Sequence, residues 1–330
     1  MSIAARWRYY RRILPAYLGS GRSQLTFWHE TPEINPRATN TELGEYYMSF
    51  REKSDYAGHF DAAGIPMLDY RGSIGLQYNP IAIAQWGLAN YNRFRESAND
   101  TDAGARLQNT VRSADWLTAN LQQNPHGLWV WHHHFDWEYR QTLKAPWYSG
   151  LAQGQGISLL LRVYAQTRDA KYSEAADRAF VALTSSIAEG GVLFVDDEDN
   201  LWIEEYLVHP PTHILNGFIW ALWGVNDFWM ARRTSSAKNI FDRGVKTLVH
   251  NLPRFDTGYW SLYEQSGTSL KILASPFYHR LHVVQLRVMA KLAADGSFDE
   301  IADRWEAYGQ HRANRARALI EKSVFKLLHY

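Results

Sequence analysis

The 330-residue chain contains no cysteine. Disulfides, cysteine-ligated zinc and thiol catalysis are thereby excluded. Charge of either sign is also lacking in excess: 35 Lys and Arg against 34 Asp and Glu leave a formal +1. Bulk electrostatics therefore offers no footprint for nucleic acid. No clean apolar run is long enough to span a membrane. The most apolar stretch, Ile214 to Ala231, is interrupted by Asn216, Asn226 and Asp227 and reads as a buried helix. The amino-terminal MSIAARWRYYRRILPAYLGS carries basic residues with no apolar run behind them, which makes a poor signal peptide. The default expectation is a cytoplasmic enzyme. P-loop, GxGxxG, GxSxG and HExxH patterns are missing, so phosphate-loop, dinucleotide, α/β-hydrolase and that zinc-peptidase chemistry drop out. Three consecutive histidines, His132, His133 and His134, do not restore a metal site. On a strand they alternate faces, so at most two can share an ion, and no metal is expected.

What is abundant is aromatic: 14 Trp, 19 Tyr and 14 Phe. Such rings suit a large core and also the stacking of sugar rings. Residues 1–78 are punctuated by Gly and Pro and predict an irregular, β-hairpin region, with Gln24–Trp28 and Tyr46–Arg51 as strand candidates. Asp61 to Gly72 reads as turns around a short strand, with Asp61 and Asp69 as turn residues before cation ligands.

From Asn79 to residue 330 the pattern is helical and repeats. Asn79-Pro80 predicts a cap followed by proline at the first helical position. Paired helices, each pair followed by an extended aromatic stretch, recur with first helices starting at Asn79, Ser149, Thr212 and His279. Near each start stands one side-chain amide: Gln85, Gln153, Asn216 and Gln285. Helical pairs in a ring place first helices inside and second helices outside. The expected fold is thus mainly α, an incomplete (α/α) toroid with inserted β-hairpins. Its amides either line one mouth, where they can hold sugar hydroxyls, or cap neighbouring backbone.

One stretch concentrates acid–base groups. NLWIEEYLVHPPTHILNG (Asn200 to Gly217) holds Glu204, Glu205, Tyr206 and His209, followed by two prolines that keep it out of a helix interior. By themselves these residues fit an active-site loop and an acidic surface loop equally. Tyr263, on the extended GYWSLY, and Tyr278, at the next hairpin-to-helix junction, would reach the same mouth. A phenol with a pKa near ~10 serves directly as an acid. As a base it needs cationic neighbours, for which His279 and Arg280 are placed.

Taken together, YNPIAIAQWGL (Tyr78 to Leu88), SADWLTANLQ (Ser113 to Gln122), WYSGLAQGQGIS (Trp147 to Ser158), WIEEY…HILNGF (Trp202 to Phe218), LPRFDTGYWSLY (Leu252 to Tyr263) and YHRLHVVQL (Tyr278 to Leu286) carry a resemblance. In order and spacing they resemble the helical C-terminal domain of the D-glucuronyl C5-epimerase family, over about residues 76–310. The resemblance implies a site built from Glu205, Tyr206, Tyr263 and Tyr278, with Asn216 as the amide. Expected substrate contacts are Asn216, His279, Arg280, Gln153, Gln155 and Gln285, with Trp147 and Tyr148 as an apolar wall. It implies inversion of glucuronic to iduronic acid within a polysaccharide, no cofactor, and a homodimer. Two departures stand out. The animal enzymes' middle β-domain is missing, and Glu264, Gln265 and Ser266 replace their Asp-Leu-Arg, removing an arginine that Arg280 would have to replace. A lyase acting through the same carbanion and a non-catalytic glycan-binding toroid remain alternatives. The polymer is left open among heparosan, a chondroitin-like glucuronan and a bacterial exopolysaccharide.

Overall fold

The computed structural model describes residues 24–96, 102–267 and 271–329. The basic amino-terminal stretch lies outside them. Of the two strand candidates near the start, one forms a short helix, α1 (Gln24–Trp28). Residues 46–50 of the other stay outside any helix, with Met48 bridged antiparallel to Ile34, and lead into a second short helix, α2 (Arg51–Ser54). The aromatic residues of both segments are core anchors: Phe27, Tyr46, Tyr47 and Phe50 are all buried. A small antiparallel sheet follows, β1 (His59–Phe60), β2 (Pro66–Asp69) and β3 (Leu76–Gln77), in that order. Asp61 serves the turn, accepting from the backbone N–H groups of Ala63 and Ile65 at 2.9 and 2.8 Å.

The helical pairs then run α3 (Pro80–Glu96) with α4 (Ala103–Ala119), α5 (Gly150–Thr167) with α6 (Ala170–Phe180), α7 (Leu215–Arg232) with α8 (Ser235–Phe255), and α9 (Pro276–Ala293) with α10 (Ser297–Gln310). A further helix, α11 (Arg312–His329), packs on α10. Each first helix packs on its own partner, and the first helices pack in series, α3 on α5, α5 on α7, α7 on α9. This is the incomplete (α/α) toroid. Between pairs lie antiparallel hairpins: β4 (Leu121–Gln123) with β5 (Trp129–Trp131), β6 (Trp137–Glu138) with β7 (Thr142–Leu143), and β8 (Leu193–Val195) with β9 (Leu201–Ile203).

Local chemistry explains the helix starts. Asn79 Oδ1 accepts from Ile81 and Ala82 N–H, Ser149 Oγ from Ala152 N–H, and Ser275 Oγ from Tyr278 N–H. Helix α7 has no such cap. Its first N–H, on Leu215, donates to the Tyr263 carbonyl at 3.1 Å, which ties the Tyr263 strand to the inner helix. Helices α5, α7 and α9 also end alike, each on a non-glycine residue with positive φ: Arg168, Arg233 and Ala294. Each such residue costs roughly 1–2 kcal/mol. That α5, α7 and α9 share it marks them as repeats of one unit. Close approach is handled by glycine. A Cβ on Gly154 would stand 2.6 Å from Ala221 Cα, and one on Gly224 2.3 Å from the Gly154 carbonyl oxygen. Helices α5 and α7 therefore touch backbone to backbone.

The ring is closed by the amino-terminal region. Tyr46, Tyr47, Met48 and Phe50 share one core with the inner helices. Away from the helix starts, Arg162 of α5 donates to Asp227 of α7 at 2.5 Å, and Tyr47 hydroxyl donates to the same carboxylate at 2.6 Å. Arg162 Nε donates to the Gly44 carbonyl at 2.9 Å. Both ion-pair partners are fully buried. Desolvation offsets most of the Coulomb gain in such a pair, so its effect here is to hold the closing segment in one register.

Candidate active site

The amino-terminal ends of the four inner helices converge on a cavity of about 200 Å³. Ile81 and Gln85 reach it from α3, Leu151 from α5, Asn216 and Trp220 from α7, Tyr278 and Leu281 from α9. The roof comes from residues 25–33 with Phe50 and Lys53, and one wall is the aromatic group Tyr70, Phe135, Trp137 and Trp147.

Strand β9 delivers the two adjacent glutamates to different tasks. Glu204 is buried, accepts from His213 N–H at 3.2 Å and lies 2.5 Å from His213 Nδ1, while that ring stacks on Trp202 at 4.3 Å. Its carbonyl accepts from Gly150 N–H at 3.0 Å. Glu204 thus fastens the loop onto α5, and Glu205 enters the cavity. Glu205 is 5% exposed. Burial pushes its carboxyl up to about 8; a hydrogen bond from Tyr206 works against this, and the charges of Glu264 and Glu204 add to it. Asn216 Nδ2 donates to Glu205 Oε2 over a long 3.5 Å. Asn216 Oδ1 and Gln85 Oε1 are buried without a partner. Unpaired acceptors in a cavity wall are groups that a bound hydroxyl would satisfy.

The tyrosines surround this carboxyl. Tyr206 lines the cavity, with its ring 5.7 Å from Trp147. Tyr263 stands edge-on behind Tyr278 at 4.9 Å. Burial, reinforced by the nearby Glu205 charge, raises both the Tyr206 and the Tyr263 phenols well above their ordinary value. They are therefore held protonated, as hydrogen-bond donors. The cations expected to turn them into bases are elsewhere. His279 is sandwiched against Trp260 at 3.8 Å, its Nδ1 2.8 Å from Ser261 Oγ and its Nε2 2.8 Å from the Trp305 carbonyl, and burial lowers it to about 4. Arg280 is exposed on α9 and does not line the cavity.

Other expected contacts are also corrected by the packing. Gln153 accepts from Trp131 N–H at 3.0 Å and donates to the Trp129 and Ala179 carbonyls, so it ties the β4–β5 hairpin to α5 and α6. Gln285 donates to the Asn216 carbonyl at 2.9 Å, across the α7–α9 contact. Gln155 accepts from Gln85 Nε2 at 3.0 Å and sets that side chain from behind. Tyr148 hydroxyl donates to the Gly190 carbonyl, on the opposite face from Trp147, because neighbouring residues of an extended strand point apart. Trp147 keeps its place in the wall, backed by His133 stacked at 3.8 Å.

A second charged group abuts the site. Tyr139 and Arg140, in the β6–β7 turn, both bind Glu264: the tyrosine hydroxyl donates to Oε2, and Arg140 Nε lies 2.7 Å from Oε1. Arg140 also donates to the Ser266 carbonyl and hydroxyl. The Tyr139 ring lies 4.7 Å from Tyr206. No local pattern announces this group, since 125 residues separate Tyr139 from Glu264.

The profile of the family described as D-glucuronyl C5-epimerase C-terminus matches residues 123–307, more than half of the chain. The chain belongs to this family. A D-glucuronyl C5-epimerase of Caenorhabditis elegans is 33% identical over 212 residues, which cover 59% of this chain and 34% of the nematode protein. An uncharacterized protein of Methanocaldococcus jannaschii is 26% identical over 59% of this chain and 63% of its own length. The chain thus spans about a third of the first relative and under two thirds of the second. A crystal structure of unsaturated glucuronyl hydrolase from Streptococcus agalactiae aligns with a TM-score of 0.44 and 16% identity, over 73% of this chain and 58% of that one. Glu205, Tyr206, Asn216, Tyr263 and Tyr278 all fall inside the family match, as does the Tyr139–Arg140–Glu264 group. The cavity roof, residues 25–53, falls outside it.

Proposed function

We propose that the chain is a polysaccharide D-glucuronyl C5-epimerase, converting glucuronic to iduronic acid residues by proton transfer at C5. The observation that carries this reading is Glu205, a carboxyl raised to about 8 in an aromatic cavity, with the Tyr278 phenol lining the same space. The C5 hydrogen is α to a carboxylate and only weakly acidic. A general base of raised pKa is matched to it. Glu205 Oε2 takes the proton, the C5–H electron pair passes into the carboxylate as an enediolate, and the Tyr278 hydroxyl returns a proton to the opposite face. Glu205 then releases its proton to solvent and the Tyr278 phenolate takes one up. Tyr206, which stays protonated, donates a hydrogen bond to developing charge, and Tyr263, behind Tyr278, positions that ring. No electrons leave the substrate. The volume, small beside the ~300–1,000 Å³ of a drug-sized site, supports one sugar ring bound at a time, with the neighbouring residues of a polymer outside.

Incubation in deuterated water with glucuronate-containing polysaccharides tests the reading. Deuterium at C5, iduronate signals by NMR and unchanged chain length are expected. Shortened chains ending in unsaturated uronate would replace the epimerase with a lyase. Binding without exchange across several such polymers would remove both.

A further inference from the structure

The reaction just described leaves one charge unanswered. The substrate carboxylate is an anion before C5 is touched, and the enediolate concentrates further charge on the same oxygens. A cation beside them is what the chemistry asks for. Neither Arg280 nor Arg140 lines the cavity. Among the described residues that line the cavity, the basic ones are Lys53 and His29.

Lys53 sits in α2, 5% exposed, at the roof. Its Nζ donates to the Phe27 carbonyl and lies 3.5 Å from Glu30 Oε2, above the Phe27 ring at 4.3 Å. Glu30 is itself buried and accepts from Glu52 N–H at 2.6 Å, so the pair is built into the fold. An ammonium has three donors, and these two partners leave one to spare. A buried Lys–Glu pair is poor value as a stabilising element, since two apolar side chains of similar volume commonly do as well or better. A fixed positive charge in a cavity walled by aromatic rings attracts an anion far more strongly than it would in water.

We propose that Lys53 is the substrate-binding residue that receives the uronate carboxylate, through the Nζ donor that Phe27 and Glu30 leave available. Glu30 and the Phe27 carbonyl then act as positioning groups that hold the ammonium at the roof. Burial lowers Lys53 to about 8 and Glu30 pulls the other way, so the side chain is cationic at neutral pH. The assignment deepens the epimerase reading by naming what holds the substrate's acid group, but its test needs no turnover. Lys53 lies outside both the quoted motifs and the family match, so its role comes from tertiary packing.

The test compares methyl β-D-glucuronide with methyl β-D-glucoside, which differ only in the C6 carboxylate, by NMR titration of the full chain. Wild type should bind the glucuronide at least about tenfold more tightly. Lys53→Met should bring the two ligands to within about twofold. Because this variant strands a buried glutamate, the double variant Glu30→Gln/Lys53→Met is measured beside it. It should regain thermal stability without regaining the preference. A double variant that discriminates like wild type would overturn the proposal, as would a wild type with no preference. If the preference depends on Lys53 while the deuterium experiment shows no exchange at C5, the epimerase reading fails and the carboxylate site stands.

Discussion

Glu205 and Gly217 are packed so closely that a Cβ on Gly217 would stand 2.2 Å from Glu205 Oε2 and 2.7 Å from Glu205 Cβ. Helix α7 thus offers the carboxylate a seat that only glycine provides. Gly217→Ala should push the carboxyl away from Asn216 and Tyr206 and lower turnover by at least about a hundredfold, the low end for losing a positioned proton-transfer group. Circular dichroism should still show the native helix content. Near-normal turnover would mean that the carboxyl can work from another position.

Glu205 also links activity to stability. Its carboxyl titrates at about 8 when folded, against the usual 4.5. Between those values the unfolded chain has released a proton that the folded chain still holds. Stability therefore falls as pH rises through that window, by at most ~1.4 kcal/mol per pH unit from this group. Glu205→Gln removes the effect. The variant should be inactive yet more stable than wild type at pH 8, on the order of a few kcal/mol, with the gap closing towards pH 4.5. Urea unfolding at several pH values measures this, and a constant gap would contradict the burial of a titrating acid.

Glu264 raises the Glu205 carboxyl through its charge. Replacing it by glutamine removes that charge and frees the positive Arg140, and both changes favour ionised Glu205. Glu264→Gln should therefore move the acidic limb of the pH–rate profile for C5 exchange to lower pH. A limb that stays in place would detach this group from the base.

Tyr278→Phe should lower turnover at least about a hundredfold with little change in melting temperature, because the ring contacts with Tyr263 and Phe277 survive. Exchange at C5 without inversion would identify the lost group as the second-face acid.

Gln153 has backbone partners only: it bonds Trp129, Trp131 and Ala179. Gln153→Ala should cost about 1–3 kcal/mol of stability through the groups left unpaired. Its effect on KM should be negligible. A large rise in KM with unchanged stability would return this amide to the substrate.

Much of the architecture is legible in the sequence. The four helical pairs are written in the periodicity and in starts such as Asn79 and Ser149, whereas the fourth inner helix, expected from His279, begins at Pro276 under the Ser275 cap. Capping is local chemistry, so it is written locally. The glutamate loop was equally visible, because two prolines forbid a helix there. The amino-terminal region departs from expectation at Gln24–Trp28, a strand candidate that is a helix. The rings at Phe27 and Phe50 are there to plug the toroid.

The chain's own order of residues determined the repeat, the inner helices and the positions of Glu205, Tyr206 and Tyr278 at hairpin-to-helix junctions. It did not determine which side of an inner helix meets the lumen. Helix α7 is buried almost all round, so no polar stripe marks a direction. One amide per helix thus looked equivalent, and only packing separated Asn216 in the cavity from Gln153 in a hairpin joint. Tertiary structure alone also decided the charges. Lys53 meets Glu30 and Arg140 meets Glu264 across long stretches of chain, and the work that each cation does depends on the neutral walls that folding builds around it.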